Sequence, residues 1–277
     1  MDRILRRNFL LLGLLLFQFS CAALARRYIV PNDSNVLNTY EYNQTAALYP
    51  QNIEVLVWNI YKASKDDFFK DWLRFGVDKD IILTQEAWQS QDYLNSLPRL
   101  GMAQAIMARS WLDSRENKTG TGVMTLSRAR SKRTTWLRSP GREPIVRTPK
   151  MSLITVYPIA GIDESLMVIN IHALNFTSVN SFKRTLSQTK SFIENHRGPI
   201  LFAGDFNTHI NARYTFMQKF FRDLNFEQVV FYPDHRFRIL GRYLDFTFVR
   251  GLKVQSAEAP ESAGSDHNPL LMTFSLF

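Results

Sequence analysis

The stretch Ile200-Leu-Phe-Ala-Gly-Asp-Phe-Asn207 joins a short apolar run to a turn that carries an aspartate and an asparagine. Short runs of β-branched and aromatic residues predict buried strands. Here the apolar run ends at Ala203, and the polar residues Asp205 and Asn207 follow it. In open α/β sheets, ligands bind outside the carboxyl ends of the strands. The stretch therefore predicts a strand of a buried sheet and one part of a functional site.

Five more apolar runs carry a polar residue of a catalytic type at one end. Asn59 follows residues 53–58, Glu86 follows 81–84, His172 follows 166–171, Asp245 follows 243–244, and Asp266 and His267 precede 269–274. In an α/β fold, these polar residues are expected to gather at one edge of a sheet. Such a set of Asn, Glu, His and Asp side chains suits a divalent metal ion and acid–base chemistry on a phosphate ester.

Helical patterns lie between the predicted strands. Ser64 and Asp67 have the spacing of a capping box and predict a helix that ends at Gly76. Apolar residues at helical spacing predict two further helices, over residues 180–196 and 213–224. The alternation of strand and helix patterns continues to the carboxyl terminus without a linker, so we expect one α/β domain over residues 52–277.

Two polar stretches, residues 109–122 and 139–144, are predicted to be loops because they contain turn-forming glycine and proline. Loops at the carboxyl edge of a sheet often contact the substrate. Arg142, Arg147 and Lys150 lie in or just after the second loop and are candidates for binding a substrate phosphate. The alternative is that they are ordinary solvated charges.

The amino-terminal 25 residues have the form of a secretory signal peptide, with a basic start, an apolar core and the small-x-small sequence Ala23-Leu-Ala25. An uncleaved membrane anchor is the alternative, since residues 8–25 are uncharged, and a lipoprotein start at Cys21 is a third. We therefore expect the protein to be exported, as a periplasmic or secreted protein, or anchored in the membrane. Residues 26–51 lack sustained periodicity and are predicted to form an extended segment ahead of the domain.

The composition limits the partners and the chemistry. Cys21 is the single cysteine, so a chain cleaved after residue 25 has neither disulfides nor thiolate metal sites. The net charge is +9, and it falls to +7 without residues 1–25, which hold three arginines and one aspartate. A basic chain favours nucleic acid or anionic phospholipid, although dispersed charge also aids solubility. No pattern points to a protein partner, so we expect a monomer.

Each polar residue suits a particular task. Glu86 would be costly to bury after an apolar strand unless a hard cation such as Mg²⁺ compensates its charge. Asp205 and Asn207 share a turn, in which one supplies a base for water and the other an amide donor for a phosphoryl oxygen. Asp245 is suited to hold His267 in one tautomer.

Taken in order, these motifs resemble the endonuclease/exonuclease/phosphatase superfamily. They are Trp58-Asn59, Gln85-Glu86, Asn170-Ile-His172, Gly204-Asp-Phe-Asn207, Leu244-Asp245 and Ser265-Asp-His-Asn-Pro269. The resemblance spans residues 53–277 and is closest to a poorly characterised bacterial branch. It implies a four-layered α/β sandwich, in which two mostly antiparallel sheets pack face to face with helices on the outer faces.

The resemblance also implies a metal site and a hydrolytic group. It implies that Mg²⁺ or Mn²⁺ is held by Glu86, with Asn59 and Asp266 near it. It further implies that Asp205 orients or deprotonates the attacking water and that Asn207 stabilises the charged phosphorane.

Two histidines complete the implied site. His267, paired with Asp245, would bind the scissile phosphate or assist proton transfer. His172 matches the position where DNase-like and sphingomyelinase-like members carry a second histidine. Abasic-site endonucleases have a tyrosine at that position and an acidic residue where Tyr61 stands, so both differences argue against abasic-site repair.

The sequence therefore predicts an exported, metal-dependent phosphodiesterase of nuclease-like type. A phospholipid or sphingomyelin phosphodiesterase is the main alternative, and hydrolysis of a soluble phosphomonoester is another. A non-catalytic polyanion-binding protein is the non-enzymatic alternative, although every expected polar position is filled.

Overall fold

The computed structural model describes residues 27–42 and 47–276 of the 277-residue chain. The predicted signal peptide or membrane anchor, residues 1–25, lies outside the described residues. Within the described part of the chain, no helix is long and apolar enough to cross a membrane. Two β-sheets form the centre of the described structure.

The first sheet contains eight strands of the described chain. They are β1 (Tyr28–Ile29), β2 (Leu37–Glu41), β3 (Ile53–Asn59), β4 (Ile81–Trp88), β5 (Gln104–Asp113), β6 (Thr119–Ser127), β15 (Lys253–Glu258) and β16 (Leu270–Ser275). Their order across the sheet is β1-β5-β6-β4-β3-β16-β15, and β2 also pairs with β5. Only β3 and β4 pair in parallel within this described sheet, so the sheet is mostly antiparallel.

The second sheet contains six strands of the described chain. They are β7 (Arg133–Arg138), β8 (Met151–Ile159), β9 (Ile162–His172), β10 (Ile200–Asp205), β11 (Glu227–Gln228) and β14 (Asp245–Arg250). Their order is β11-β14-β10-β9-β8-β7, with a parallel pairing between β9 and β10. A separate two-stranded hairpin is formed by β12 (Arg238–Ile239) and β13 (Arg242–Tyr243).

Helices cover the outer face of each sheet. The α-helices of the described residues are α1 (Phe68–Gly76), α2 (Gln91–Ser96), α3 (Val179–Ser187), α4 (Lys190–Glu194) and α5 (Asn211–Asp223). Trp72 of α1 packs on the first sheet, whereas Phe182 of α3 and Phe221 of α5 pack on the second. Aliphatic residues from both sheets, such as Leu83 and Leu201, form the core between them. This arrangement confirms the predicted four-layered α/β sandwich.

Two helices differ from the sequence prediction, one at its start and one by an interior break. Ser64 Oγ donates to the carbonyl of Tyr61 at 2.7 Å, so it closes the preceding turn and does not cap α1. The helix predicted over residues 180–196 is divided into α3 and α4. Between them, Thr189 Oγ1 donates to the carbonyl of Leu186 at 2.7 Å. Such a side-chain hydrogen bond competes with the helical backbone ladder and accounts for the break.

The loop predicted over residues 109–122 is instead a hairpin of β5 and β6. Gly122 lies where neighbouring strands approach closely, because a Cβ at this position would stand 2.0 Å from the carbonyl oxygen of Ala108. The glycine therefore serves close packing of two backbones and does not mark a turn. The actual turn contains Asn117 and Lys118, which have left-handed φ angles of 50° and 58°.

The extended segment predicted over residues 26–51 takes part in the first sheet. Strand β1 pairs with β5 through Tyr28 and Asp113, and β2 pairs with the same strand from Leu37 to Glu41. Arg27 fixes the start of this segment, because its guanidinium donates to Asp113 at 2.7 and 2.9 Å. The first sheet therefore extends beyond the boundary at residue 52.

A buried pair of amides joins the two sheets next to the predicted site residues. Gln85 Nε2 donates to Asn170 Oδ1 at 2.8 Å, and Asn170 Nδ2 donates to the carbonyls of Met124 at 2.9 Å and Thr84 at 3.2 Å. Neither Gln85 nor Asn170 is exposed to solvent. Slipping one sheet against the other would leave these polar atoms unpaired, so the network holds the sheets in one relative position.

We predict that Asn170→Ala lowers the free energy of unfolding by about 2–4 kcal/mol, because it leaves the buried Gln85 amide without its acceptor and removes the side-chain donor to the Thr84 and Met124 carbonyls. Urea denaturation followed by circular dichroism measures the change. Asn95→Ala, on the exposed surface of α2, is the matched control and should cost no more than about 0.5 kcal/mol. Equal losses for the two variants would contradict a structural role for the inter-sheet network.

Candidate active site

Three strands of the second sheet place their polar residues side by side. In register, Asp205 at the end of β10 lies opposite His172 of β9 on one side and Asp245 of β14 on the other. The apolar run at residues 243–244 predicts a strand that ends just before Asp245. It belongs instead to β13 and its following residue, and Asp245 begins β14. Because β14 is antiparallel to β10, its start lies at the same sheet edge as the end of β10.

The first sheet contributes the rest of the site at the facing edge. Asn59 ends β3, and the loop that precedes β16 carries Asp266 and His267. Two hydrogen bonds hold this loop against β3. Ser265 Oγ donates to the carbonyl of Asn59 at 2.6 Å, and Trp58 Nε1 donates to the carbonyl of His267 at 2.8 Å. The Ser-Asp-His sequence is therefore fixed by its neighbours in the fold.

A β-bulge in β4 sets the direction of Glu86. The register with β6 shifts between Thr84 and Ala87, so two residues of β4 oppose one residue of its partner. Glu86 adopts a left-handed φ of 53°, which is uncommon for a non-glycine residue. Bulges near active sites re-aim a side chain, and this one turns the carboxylate of Glu86 into the cleft.

The carboxylate of Asp205 is buried and held by donors from both sheets. Asp205 Oδ1 accepts the backbone N–H of Asn207 at 2.9 Å, and Oδ2 accepts Asn59 Nδ2 at 3.1 Å. Burial, followed by the charge of the adjacent Asp245, raises the pKa of Asp205 to about 7, and His267 and the two donors oppose this shift only in part. Asp205 is therefore oriented by fixed donors and able to exchange a proton near neutral pH.

His267 and Asp245 form a buried hydrogen-bonded pair, with 2.7 Å between Nδ1 and Oδ2. Burial by itself lowers the pKa of His267, but the charge and hydrogen bond of Asp245 outweigh that effect and raise it to about 10. The imidazolium form is therefore favoured, and Nε2 is the ring nitrogen left to face a substrate oxygen.

Ligand atoms of Asp205, Asp245 and His267 also lie within 4.8 Å of one another, a spacing compatible with a metal ion. At neutral pH the raised pKa of His267 keeps both of its ring nitrogens protonated, and a protonated nitrogen cannot bind a metal. A cation at this cluster would first have to displace the proton of His267.

Glu86 lies between two lysines. Its Oε2 is 2.6 Å from Lys62 Nζ, and its Oε1 is 3.8 Å from Lys150 Nζ. Burial raises the pKa of this carboxyl, but the lysine charges outweigh burial and lower it to about 2. Glu86 is therefore ionised at neutral pH.

His172 is a neutral imidazole in this setting. Burial and the charge of Lys150 lower its pKa well below the usual value, despite the opposing charge of Glu86. Its Nε2 lies 3.4 Å from Asp205 Oδ2. Because the ring is neutral, we interpret this approach as a weak polar contact and not as an ion pair.

The site lies at the bottom of an open cleft of about 490 Å³. Lys150 reaches the cleft and also contacts Glu143 at 3.5 Å, so this phosphate-binding candidate is close to the site. Arg142 and Arg147 are exposed in the loop above, where Arg142 donates to the carbonyl of Arg147, and neither lines the cleft. Their proposed contact with a phosphate would need a substrate that extends beyond the cleft.

Several residues of the site do not follow from the sequence pattern. Lys62 reaches Glu86 from a turn in which Tyr61, Lys62 and Ala63 all have positive φ angles. Ile145 and Phe176 line the cleft while remaining 76% and 71% exposed. A large apolar residue directly after the predicted polar loop at residues 139–144 was the available signal for Ile145. The turn that brings Lys62 to Glu86 had no such signal.

The cleft contains oxygen donors suited to a hard divalent cation. Glu86, Asn59 and Asp266 all line it. The amide of Asn59 donates through Nδ2 to Asp205, so its Oδ1 faces the opposite way, where it accepts the N–H of Tyr61 at 3.2 Å. Carboxylate and amide oxygens are the ligands that Mg²⁺ and Mn²⁺ prefer, so the donor set fits either ion. A cation at Glu86 competes with the ammonium of Lys62.

Comparison with known proteins gives concordant results. The sequence matches the Endonuclease/Exonuclease/phosphatase family over residues 56–267. A UPF0294 protein from Vibrio parahaemolyticus is 36% identical over 229 residues, which cover 81% of this chain and 78% of that protein. An endonuclease/exonuclease/phosphatase from Beutenbergia cavernae is similar in structure, with a TM-score of 0.61, 14% identity, and coverage of 82% of this chain and 72% of that chain. The human nocturnin catalytic domain with bound sulfate anion gives a TM-score of 0.60 at 16% identity, and the coverage is 86% and 97%.

The family match over residues 56–267 includes all the residues that line the cleft, from Asn59 to His267. The two solved structures share the fold with this chain. The Vibrio relative agrees with the predicted placement in a poorly characterised bacterial branch. The chain therefore belongs to the endonuclease/exonuclease/phosphatase family and is a hydrolase of phosphoester bonds.

Proposed function

We propose that this protein hydrolyses phosphodiester bonds of nucleic acid with Mg²⁺ or Mn²⁺, and that it does so outside the cytoplasm. The observation that carries the proposal is the buried, oriented carboxylate of Asp205 beside the His267–Asp245 pair. It joins a proton acceptor and a cationic donor in one cleft, as ester hydrolysis requires. The export part rests on the form of residues 1–25.

In the proposed reaction, Asp205 accepts a proton from the attacking water. The N–H of Asn207 and the amide of Asn59 hold the carboxylate in place, and its raised pKa suits proton transfer near neutral pH. His267, kept protonated by Asp245, neutralises charge on the phosphoryl oxygens or donates a proton through Nε2. The amide of Asn207 donates one hydrogen to the carbonyl of Ala173 at 3.0 Å, which leaves its second hydrogen for a phosphoryl oxygen.

The residues proposed to hold the cation are Glu86, Asn59 and Asp266. When bound, Mg²⁺ or Mn²⁺ supplies positive charge to the phosphate and polarises its oxygens. Basic side chains at the cleft, led by Lys150, add attraction for a polyanion.

One observation favours a second candidate, phospholipid headgroup hydrolysis. Ile145 and Phe176 at the cleft are 76% and 71% exposed, and Leu240 at the tip of the β12–β13 hairpin is 85% exposed. Exposed apolar residues on separate loops suit contact with a lipid surface. A nucleic acid gains less from the aliphatic side chains of Ile145 and Leu240, so a substrate panel separates the two candidates.

The first test is a substrate panel with a metal-site variant. We predict cleavage of plasmid DNA or RNA in Mg²⁺ and no cleavage in EDTA. Release of headgroups from sphingomyelin and phosphatidylglycerol vesicles, or of phosphate from inositol phosphates, should be much weaker.

The metal-site variant Glu86→Gln should reduce the rate by orders of magnitude, because it removes the anionic ligand. Its activity should recover in part at high Mg²⁺. Full parental activity in EDTA would refute the metal requirement, and preferred cleavage of vesicles would favour the second candidate.

The second test concerns Asn207. This residue has a left-handed φ of 50°, which Asn and Asp tolerate, so Asn207→Asp keeps the turn but removes the amide donor. We predict a roughly hundred- to thousand-fold lower kcat, as for the loss of one preorganised oxyanion donor. Steady-state kinetics and a thermal melt measure the change. A rate within a few-fold of the parent in the folded variant would argue against the donor role.

The third test is the pH profile. Activity should rise as Asp205 loses its proton near pH 7 and fall as His267 loses its proton near pH 10, giving a bell-shaped kcat/KM. Asp245→Asn removes the negative charge that raises both pKa values, so both limbs should move to lower pH while the maximal rate falls. Asp163→Asn, an exposed aspartate at the other end of β9, is the control and should move neither limb. Limbs that stay in place in Asp245→Asn would rule out this assignment.

A further inference from the structure

A second, smaller pocket of about 210 Å³ adjoins the catalytic cleft at Glu86. Five residues line both cavities: Glu86, Glu143, Val146, Lys150 and His172. Asp205 and His267 line the catalytic cleft but not the side pocket. A substrate whose phosphate lies beside Glu86 therefore has two separate spaces available, one for each of its ester groups.

Part of the side-pocket wall is aromatic. It is built by Tyr28 and Trp111, whose rings meet edge to face with centroids 4.5 Å apart. Trp88 also contacts Trp111 edge to face, with ring centroids 6.0 Å apart. Ser110 and Thr121 are buried and also line the pocket, so hydroxyl groups lie beside the aromatic wall.

A second β-bulge creates this wall. The register of β5 with β6 shifts between Arg109 and Trp111, which leaves Ser110 as the extra residue. Consecutive residues of a regular strand point to opposite faces, whereas here Ser110 and Trp111 line the same pocket. This bulge and the one at Glu86 flank the same residue of β6, Gly122. The two adjacent bulges therefore shape both the position of Glu86 and the side pocket.

The amino-terminal segment is held in place to complete the pocket. Arg27 makes a bidentate contact with Asp113, and Tyr28 pairs with Asp113 in the ladder between β1 and β5. These contacts fix the Tyr28 ring against Trp111. An aromatic side chain fixed in this way is preorganised for stacking and needs no ordering when a ligand arrives.

We propose that the side pocket binds the nucleobase of a nucleoside esterified to the scissile phosphate. The inference rests on the proposed phosphodiesterase function. A pocket of about 210 Å³ suits a single planar heterocycle and is too small for a longer stretch of nucleic acid. Flat aromatic rings stack on Tyr and Trp side chains, and the hydroxyls of Ser110 and Thr121 face the ring's polar edge. Lys62 and Lys150, on the side of the pocket nearest Glu86, face the anionic phosphate.

Equilibrium binding tests the proposal without relying on turnover. The full chain is titrated in Mg²⁺ with 3′-AMP, 5′-AMP and ribose 5-phosphate by isothermal calorimetry. We expect at least one AMP isomer to bind more tightly than ribose 5-phosphate by roughly five- to hundred-fold, the usual effect of one stacked base. Tyr28→Ala and Trp111→Ala should each reduce this preference, while the affinity for ribose 5-phosphate stays within about two-fold of the parent's.

Phe176→Ala is the matched control, because this exposed ring belongs to the catalytic cleft and not to the side pocket. It should leave the preference for AMP intact. Tyr28 lies in a two-residue edge strand, so Tyr28→Ala remains informative if a thermal melt finds Trp111→Ala unfolded. Equal binding of AMP and ribose 5-phosphate, or a preference lost in Phe176→Ala but kept in Tyr28→Ala, would overturn the proposal. A base preference without diester cleavage would instead refute the proposed activity and leave the pocket assignment standing.

Discussion

Burial of the Asp205 carboxylate is the constraint on which the site depends. An ionised or partly ionised carboxylate in the interior needs fixed hydrogen-bond donors. One donor is the N–H of Asn207 in its own turn, and the other is the amide of Asn59 from the opposite sheet. The two sheets must therefore meet in a fixed relative position at this edge. The buried Gln85–Asn170 pair supplies a second connection between the same sheets.

The surroundings of each titratable side chain in the site set its protonation state at neutral pH. Burial and the charge of Asp245 raise the pKa of Asp205, and Asp245 also keeps His267 protonated. The lysines next to Glu86 keep that carboxylate ionised, whereas burial and the charge of Lys150 keep His172 neutral. A proton acceptor, a proton donor and an anionic ligand thus coexist within one cleft. Such separation of neighbouring pKa values by environment is how acid and base roles are divided in hydrolases.

The two β-bulges explain how a regular sheet makes room for a substrate. The extra residues in β4 and β5 stand on either side of Gly122, which must be glycine because the backbone of Ala108 lies too close for a Cβ. One bulge turns Glu86 into the cleft in a left-handed conformation, and the other presents Ser110 and Trp111 together. Local departures from the ladder therefore position residues that a flat sheet would direct elsewhere.

The sequence by itself determined the fold class and the main polar residues, because apolar runs mark strands and a polar residue at a run's end marks a sheet edge. Asn59, Glu86, His172, Asp205 and His267 follow from that local pattern. Tertiary structure decided the contacts between segments that are distant in sequence, which hydrophobic periodicity does not predict. The antiparallel pairing brings Asp245 to the site from the start of a strand, and left-handed backbone brings Lys62 to Glu86. Pairing across the first sheet brings Tyr28 to Trp111, since such contacts depend on register and bulges between segments distant in sequence.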